Sequence, residues 1–124
     1  MKVRRVKIGI RSLEEGLKHF AEVTKAIEKG QQVKKGRGVY FENLETMRKI
    51  LTDRRLEVLK VIKDKKPSSV YQLAQILKRD LKNVNEDLRL LEQSGLVSLK
   101  KSKTDRERIT PTVNYDAIQL NIAV

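Results

Sequence analysis

The chain of 124 residues has room for one apolar core and a short appended segment, and not for two independent domains. Its 28 Lys and Arg against 16 Asp and Glu leave a formal charge of +12, which favours a polyanionic partner over an enzyme acting on acidic substrates. Cysteine is absent, so disulfides, thiolate metal sites and a Cys nucleophile are excluded, which fits a reducing compartment. Charged residues (35%) are interleaved with apolar ones (39%), the mark of a folded core under a charged surface. No apolar run approaches the roughly 20 residues of a membrane span, and the N-terminus alternates charge with apolar residues, so a soluble cytoplasmic protein without a membrane partner is expected.

Catalytic constellations have no good candidates. The single His, His19, lies between Lys18 and Phe20 without a second His or an acidic cluster at metal-ligand spacing, and reads as a solvated flank residue. Gly36-Arg37-Gly38 lacks the spacing of a phosphate loop or a dinucleotide fingerprint and reads as a linker turn. No enzyme, cofactor or metal is expected.

In chain order, Val6, Ile8 and Ile10 alternate with Lys7 and Gly9, so residues 3–10 read as a short strand carrying Arg4, Arg5 and Lys7 on its wet side; a flexible basic arm is the competing reading. Ser12 to Glu15 form a capping box that starts a helix at Leu13. Leu13, Leu17, Phe20, Thr24 and Ile27, spaced four, three, four, three, share one seam, and Gly30 is a C-terminal stop. That seam fits a dimer interface, a partner protein, or packing on its own domain. Residues 31–38 read as a linker, which divides the chain into an N-terminal segment 1–38 and a compact domain 39–124.

Val39 to Phe41 are β-prone, and Asn43 caps a short helix with Leu44, Met47, Ile50 and Leu51 on one face. Thr52 and Asp53 cap the next helix, in which Leu56, Leu59 and Ile62 line one side, Val58 and Val61 widen the stripe, and Lys65 to Pro67 end it. Ser69-Val70-Tyr71-Gln72 is a second capping box, opening a helix with Leu73, Ala74, Ile76 and Leu77. After the break Lys78-Arg79-Asp80, Asp80 caps residues 81–93, where Leu81, Val84, Leu88 and Leu91 face inward and Lys82, Glu86 and Arg89 outward. Two helices across a three-residue break describe a helix-turn-helix. Ser94-Gly95 ends the second helix, and Leu96 to Leu99 lead into the cationic tip Lys100 to Arg108, from which Ile109 and Val113 return. A hairpin with such a tip, directly after the recognition helix, is a wing.

Through Leu73-Ala74 with Leu77, Asn83-Val84 to Leu88, and Leu91-Glu92 with Gly95-Leu96-Val97, the chain resembles the MarR-like winged helix-turn-helix regulators of archaea and bacteria over residues 39–122. Ser12 to Glu15, Tyr40 to Met47 and Val113 to Ile122 add to the resemblance. It implies a mainly α fold with a small β-wing (α+β), here a winged helix-turn-helix with an N-terminal strand and helix extension. It also implies a transcriptional regulator; some members resemble antitoxins encoded beside toxins. Many helix-turn-helix proteins have Gly in the turn, where this chain has Lys78-Arg79-Asp80.

The expected chemistry is sequence-specific recognition of double-stranded DNA, with helix 81–93 in the major groove and wing 96–113 on the backbone or minor groove. Asn83 and Asn85 suit adenine, while Lys82 and Arg89 suit guanine or phosphate. Glu86 either accepts from a cytosine amine or pairs with Lys82 or Arg89, the helix pair being favoured. Lys101, Lys103 and Arg106 of the wing reach phosphates or the minor groove, and Ser69, Tyr71 and Arg79 complete the candidate DNA-binding set. A homodimer reading a two-fold site through the seam Leu13, Leu17, Phe20, Thr24 and Ile27 is expected. The alternative is an antitoxin-like protein that holds a partner protein and autoregulates; docking on the transcription machinery is a further one. Single-strand RNA binding is disfavoured, because Phe20, Tyr40, Phe41, Tyr71 and Tyr115 are scattered.

Overall fold

The computed structural model of the chain describes residues 3–11, 13–28, 38–104 and 108–122. Among these residues the elements run β1 (Arg5–Ile10), α1 (Leu13–Glu28), β2 (Gly38–Phe41), α2 (Leu44–Ile50), α3 (Asp53–Lys65), α4 (Val70–Leu77), α5 (Leu81–Gln93), β3 (Ser98–Lys101), β4 (Ile109–Thr112) and β5 (Ala117–Asn121). The expected Ser12 cap, the Gly30 stop and linker residues 31–37 lie outside the described residues.

The alternation at the N-terminus makes a strand and not a free arm. Val6 and Ile8 are buried on one side of β1, whereas Arg5 and Lys7 are exposed on the other. β1 is the central strand of a parallel sheet ordered β2-β1-β5, with Ile8 beside both Val39 and Leu120. Parallel neighbours need long crossovers. Here α1 lies in the first, and all the remaining helices lie between β2 and β5. The strand of the N-terminal segment therefore shares one core with residues of the 39–124 segment. Gly38, read from composition as the last linker residue, is instead the first of β2, where an added Cβ would stand 2.8 Å from the Tyr40 ring.

Side-chain caps start the next three helices. Asn43 Oδ1 accepts from Thr46 N–H at 2.8 Å, Thr52 Oγ1 from Arg55 N–H at 3.3 Å, and Ser69 Oγ from Gln72 N–H at 3.0 Å. The second capping box closes one residue further out than expected, because Gln72 Oε1 accepts from both the N–H and the hydroxyl of Ser68, at 2.6 and 3.0 Å. Asp80 stands at the N-cap of α5 but makes no side-chain capping bond, correcting that expectation.

Val58 and Ile62 of α3, Leu73 of α4, and Val84, Leu88 and Leu91 of α5 meet Ile8 and Leu96 in the buried core. The buried stripes are narrower than the periodicity implies, since Leu56, Ile76 and Leu81 are exposed. Leu56 and Ile76 each sit two residues, about 200° of helix, from a buried centre at Val58 or Ala74, and Leu81 lies at the helix end. Antiparallel β3 and β4 form the hairpin that follows α5. Helices α3, α4 and α5 with this hairpin constitute a winged helix, an α+β fold. Asp116, just before β5, ties the sheet to α3: its Oδ2 accepts from Arg4 N–H at 2.9 Å, while its Oδ1 pairs with Lys63 at 3.1 Å.

Candidate nucleic-acid interface

The turn between α4 and α5 closes without glycine. Lys78 takes the left-handed conformation (φ 54°, ψ 45°), and its N–H and that of Arg79 donate back to Gln75 and Ala74 carbonyls at 3.2 and 3.1 Å. The cost of that conformation falls on a residue with a Cβ, which Gly would avoid.

Behind the turn sits a buried carboxylate that periodicity alone did not mark. Asp87 lies three residues after Val84 and four before Leu91, on the inward face of α5. Its Oδ1 accepts from Arg55 Nε at 3.1 Å. Arg79 Nη2 stands 2.8 Å from Oδ2 as an ion pair whose angle falls short of an aligned hydrogen bond. Arg55 Nη1 also donates to the carbonyls of Lys49 and Ile50, at 2.6 and 3.1 Å. One acid thus ties α5 to α3 and the turn, and through Arg55 to the end of α2. The guanidinium of Arg79, one of the candidate DNA-binding residues, is drawn inward to Asp87, because a buried carboxylate needs a counter-charge. An Asp at an otherwise apolar stripe position was the signal for this site.

With that face held, the opposite face of α5 presents Lys82, Asn83, Asn85, Glu86 and Arg89, all exposed. Glu86 pairs with Arg89, Nη2 to Oε1 at 2.6 Å and Nε to Oε2 at 3.3 Å. The hydrogen bond from Arg89 holds the Glu86 carboxyl below its ordinary range, and the same bond raises Arg89. The helix pair expected for Glu86 is therefore the one formed. Among the described residues no side-chain bond engages Lys82, Asn83 or Asn85.

The hairpin sets Lys100 opposite Thr110 and Lys101 opposite Ile109. Lys100, Lys101, Lys103 and Arg108 are exposed, and Arg106 lies outside the described residues. The wing is anchored to the helix-turn-helix at one carbonyl, that of Ser68, which accepts from Thr110 Oγ1 at 2.7 Å and Arg108 Nε at 3.3 Å. Tyr71 stands exposed in the first turn of α4, so core packing does not account for it. The Ser69 hydroxyl is occupied as the cap of that helix.

On α1, Leu17 and Phe20 are 61% and 70% exposed, and the Thr24 hydroxyl donates to the Phe20 carbonyl at 2.9 Å. The apolar part of the seam is thus Leu17 and Phe20; the side chains of Leu13 and Ile27 lie outside the described residues. Among the described residues no group of three His, Cys, Asp or Glu is placed to hold a metal, and no helix is long and apolar enough to cross a membrane.

The family model HVO_A0114 matches residues 50–120, more than half of the chain, from the end of α2 into β5. The chain belongs to the HVO_A0114 family. The HVO_A0114 region holds the Asp87 clamp, the outward face of α5 and the described wing cations, whereas β1, α1 and β2 precede it. A solved structure titled "Crystal Structure of MarR" is similar to this HVO_A0114 chain at 21% identity and a TM-score of 0.49, covering 82% of this chain and 65% of that one. The chain thus spans just under two thirds of that structure's length. No curated protein matches this chain.

Proposed function

We propose that the chain is a sequence-specific double-stranded DNA-binding transcriptional regulator of the cytoplasm, with no catalytic role. The observation that carries this reading is the exposed row Lys82, Asn83 and Asn85 on a helix whose inward face is locked by Asp87. Recognition needs base-reading groups held in a fixed orientation. Asn83 and Asn85 have the amide pair that matches adenine, and Lys82 reaches guanine or phosphate. Wing residues Lys101 and Lys103, with Arg106, meet the backbone or minor groove, and Tyr71 donates to a phosphate. The formal charge of +12 supplies counterion release, so affinity falls steeply with salt. A two-fold homodimer reads half-sites about 34–36 Å apart.

Fluorescence anisotropy tests this on a labelled duplex from upstream of the protein's own gene and on a scrambled duplex, each at two salt concentrations. A preference for the native duplex that survives the higher salt supports the reading. Equal binding erased by salt leaves only a basic surface and overturns it. The exposed Leu17 and Phe20 favour a second reading, an antitoxin-like chain that holds a partner protein on α1 and binds DNA only to regulate itself. A tight heterocomplex with a neighbouring gene's product distinguishes it.

A further inference from the structure

β5 is an edge strand: β1 is bonded along one side of it, and among the described strands none pairs with the other. An open row of backbone N–H and C=O groups is a template for another strand, and proteins blunt such edges with charges, prolines or bulges. Residues 117–122, AIQLNI, contain no charge and no proline in a chain that is 35% charged, and the register of residues 117–121 with β1 runs without a bulge. Ile118 lies beside Val6 and Leu120 beside Ile8, which places these apolar side chains on the core face of the sheet. The row continues past the rim of the core, leaving Leu120 and Ile122 43% and 49% exposed.

The residue order specifies the occupant. About Leu120 the strand and the residue that follows it form a chemical palindrome, with amides at Gln119 and Asn121 and isoleucines at Ile118 and Ile122. In an antiparallel pair, residues directly opposite each other share a face. A two-fold axis at Leu120 sets the two copies of Leu120 together and Ile118 opposite Ile122 of the second copy. Gln119 then meets Asn121 of the second copy, and each amide can both donate and accept. A slip of one residue would set apolar side chains against amides. The strand is also free of charge, which lets two chains of +12 approach along this line.

We propose that a second copy of this chain occupies the edge, the two β5 strands pairing antiparallel about Leu120 so that the three-stranded sheets join into one of six strands. The inference deepens the two-fold reading given above and rests on it. Its test involves no DNA, so its failure is distinguishable from failure of the DNA-binding reading.

Sedimentation of the full chain at micromolar concentration, with Leu120→Lys, Leu120→Asp and Ile122→Lys variants, is the experiment. The wild type sediments as a dimer, and each variant at half that mass with its circular-dichroism melt retained, because residues 120 and 122 are already exposed in one copy. An equimolar mixture of Leu120→Lys and Leu120→Asp sediments as a dimer again, since position 120 faces itself and opposite charges then meet at the axis. Phe20→Glu on α1 leaves the dimer intact. A monomeric wild type, dimeric Leu120 variants, a mixture that stays monomeric, or a dimer lost in Phe20→Glu but not in Leu120→Lys overturns the proposal. Should Leu120→Lys not fold, Ile122→Lys and the Phe20→Glu comparison carry the test.

Discussion

Asp87 and Arg55, 32 residues apart, meet through an Nε to Oδ1 hydrogen bond of 3.1 Å in which both side chains are largely withdrawn from water. Because Arg79 approaches the other carboxylate oxygen, one negative charge serves two guanidiniums whose side chains are 16% and 18% exposed. Removing one member of a buried pair leaves the rest charged and without a counter-charge. Asp87→Ala should therefore cost about 3 kcal/mol in urea denaturation. A loss below about 1 kcal/mol would mean that the two arginines reach water at little cost.

Lys78 carries the strain of the turn. Its φ of 54° costs an L-residue roughly 1 kcal/mol that glycine is spared. Lys78→Gly should raise stability by about 0.5–1 kcal/mol, partly offset by the freedom glycine adds to the unfolded chain. Lys78→Ala should not, and an equal gain from both variants in matched urea titrations would assign the effect to loss of the lysine side chain instead.

Glu86 occupies the guanidinium of Arg89 on the surface proposed to meet DNA. Glu86→Gln removes a negative charge there and frees Arg89 for phosphate. Anisotropy titrations should show tighter binding and a salt slope steeper by about one. The melting temperature should hardly move, because the pair is exposed. Weaker binding on the same duplex would show that Glu86 itself reads a base.

Tyr115 donates its hydroxyl to the Leu96 carbonyl at 2.7 Å, and burial pushes the phenol up to about 12. An acid whose folded pKa is raised favours the native state while both forms are protonated. That contribution is complete below the unfolded value near 10 and is lost as pH rises toward 12, because the unfolded chain ionises first. Thermal melts from neutral to strongly alkaline pH should fall more steeply for the wild type than for Tyr115→Phe in that window. At neutral pH the variant should be less stable by about 1 kcal/mol, the worth of the lost hydrogen bond. Parallel curves would dismiss Tyr115 as the source of the alkaline loss.

Much of the winged helix was readable from neighbouring residues. Asn43, Thr52 and Ser69 each accept from an amide three positions onward, so the type and place of those residues announce the helix starts. The pair Glu86 and Arg89 lies within one helical turn and was likewise accessible to spacing. Asp80 shows the limit: the residue type was right for a cap and the position is the N-cap, but the side chain does not make the bond. The pairing of Arg79 with Asp87 is not legible in the sequence, because an arginine in a turn looks solvated until the acid it meets is recognised as buried.

Residue order alone sets what acts within a few positions: the alternation of β1, most of the helix caps, the break at Lys78 to Asp80 and the hairpin that follows Gly95. Which distant groups meet depends on the assembled fold. Arg4 bonds to Asp116 across 112 positions, β1 pairs in parallel with β5, and Arg55 finds Asp87. Local pattern encodes a face or a cap because hydrogen bonds and periodicity repeat within one turn of the chain. A long-range ion pair or a parallel register has no such repeat. It is selected by the shape and desolvation of the whole core, which exists only once every element is in place.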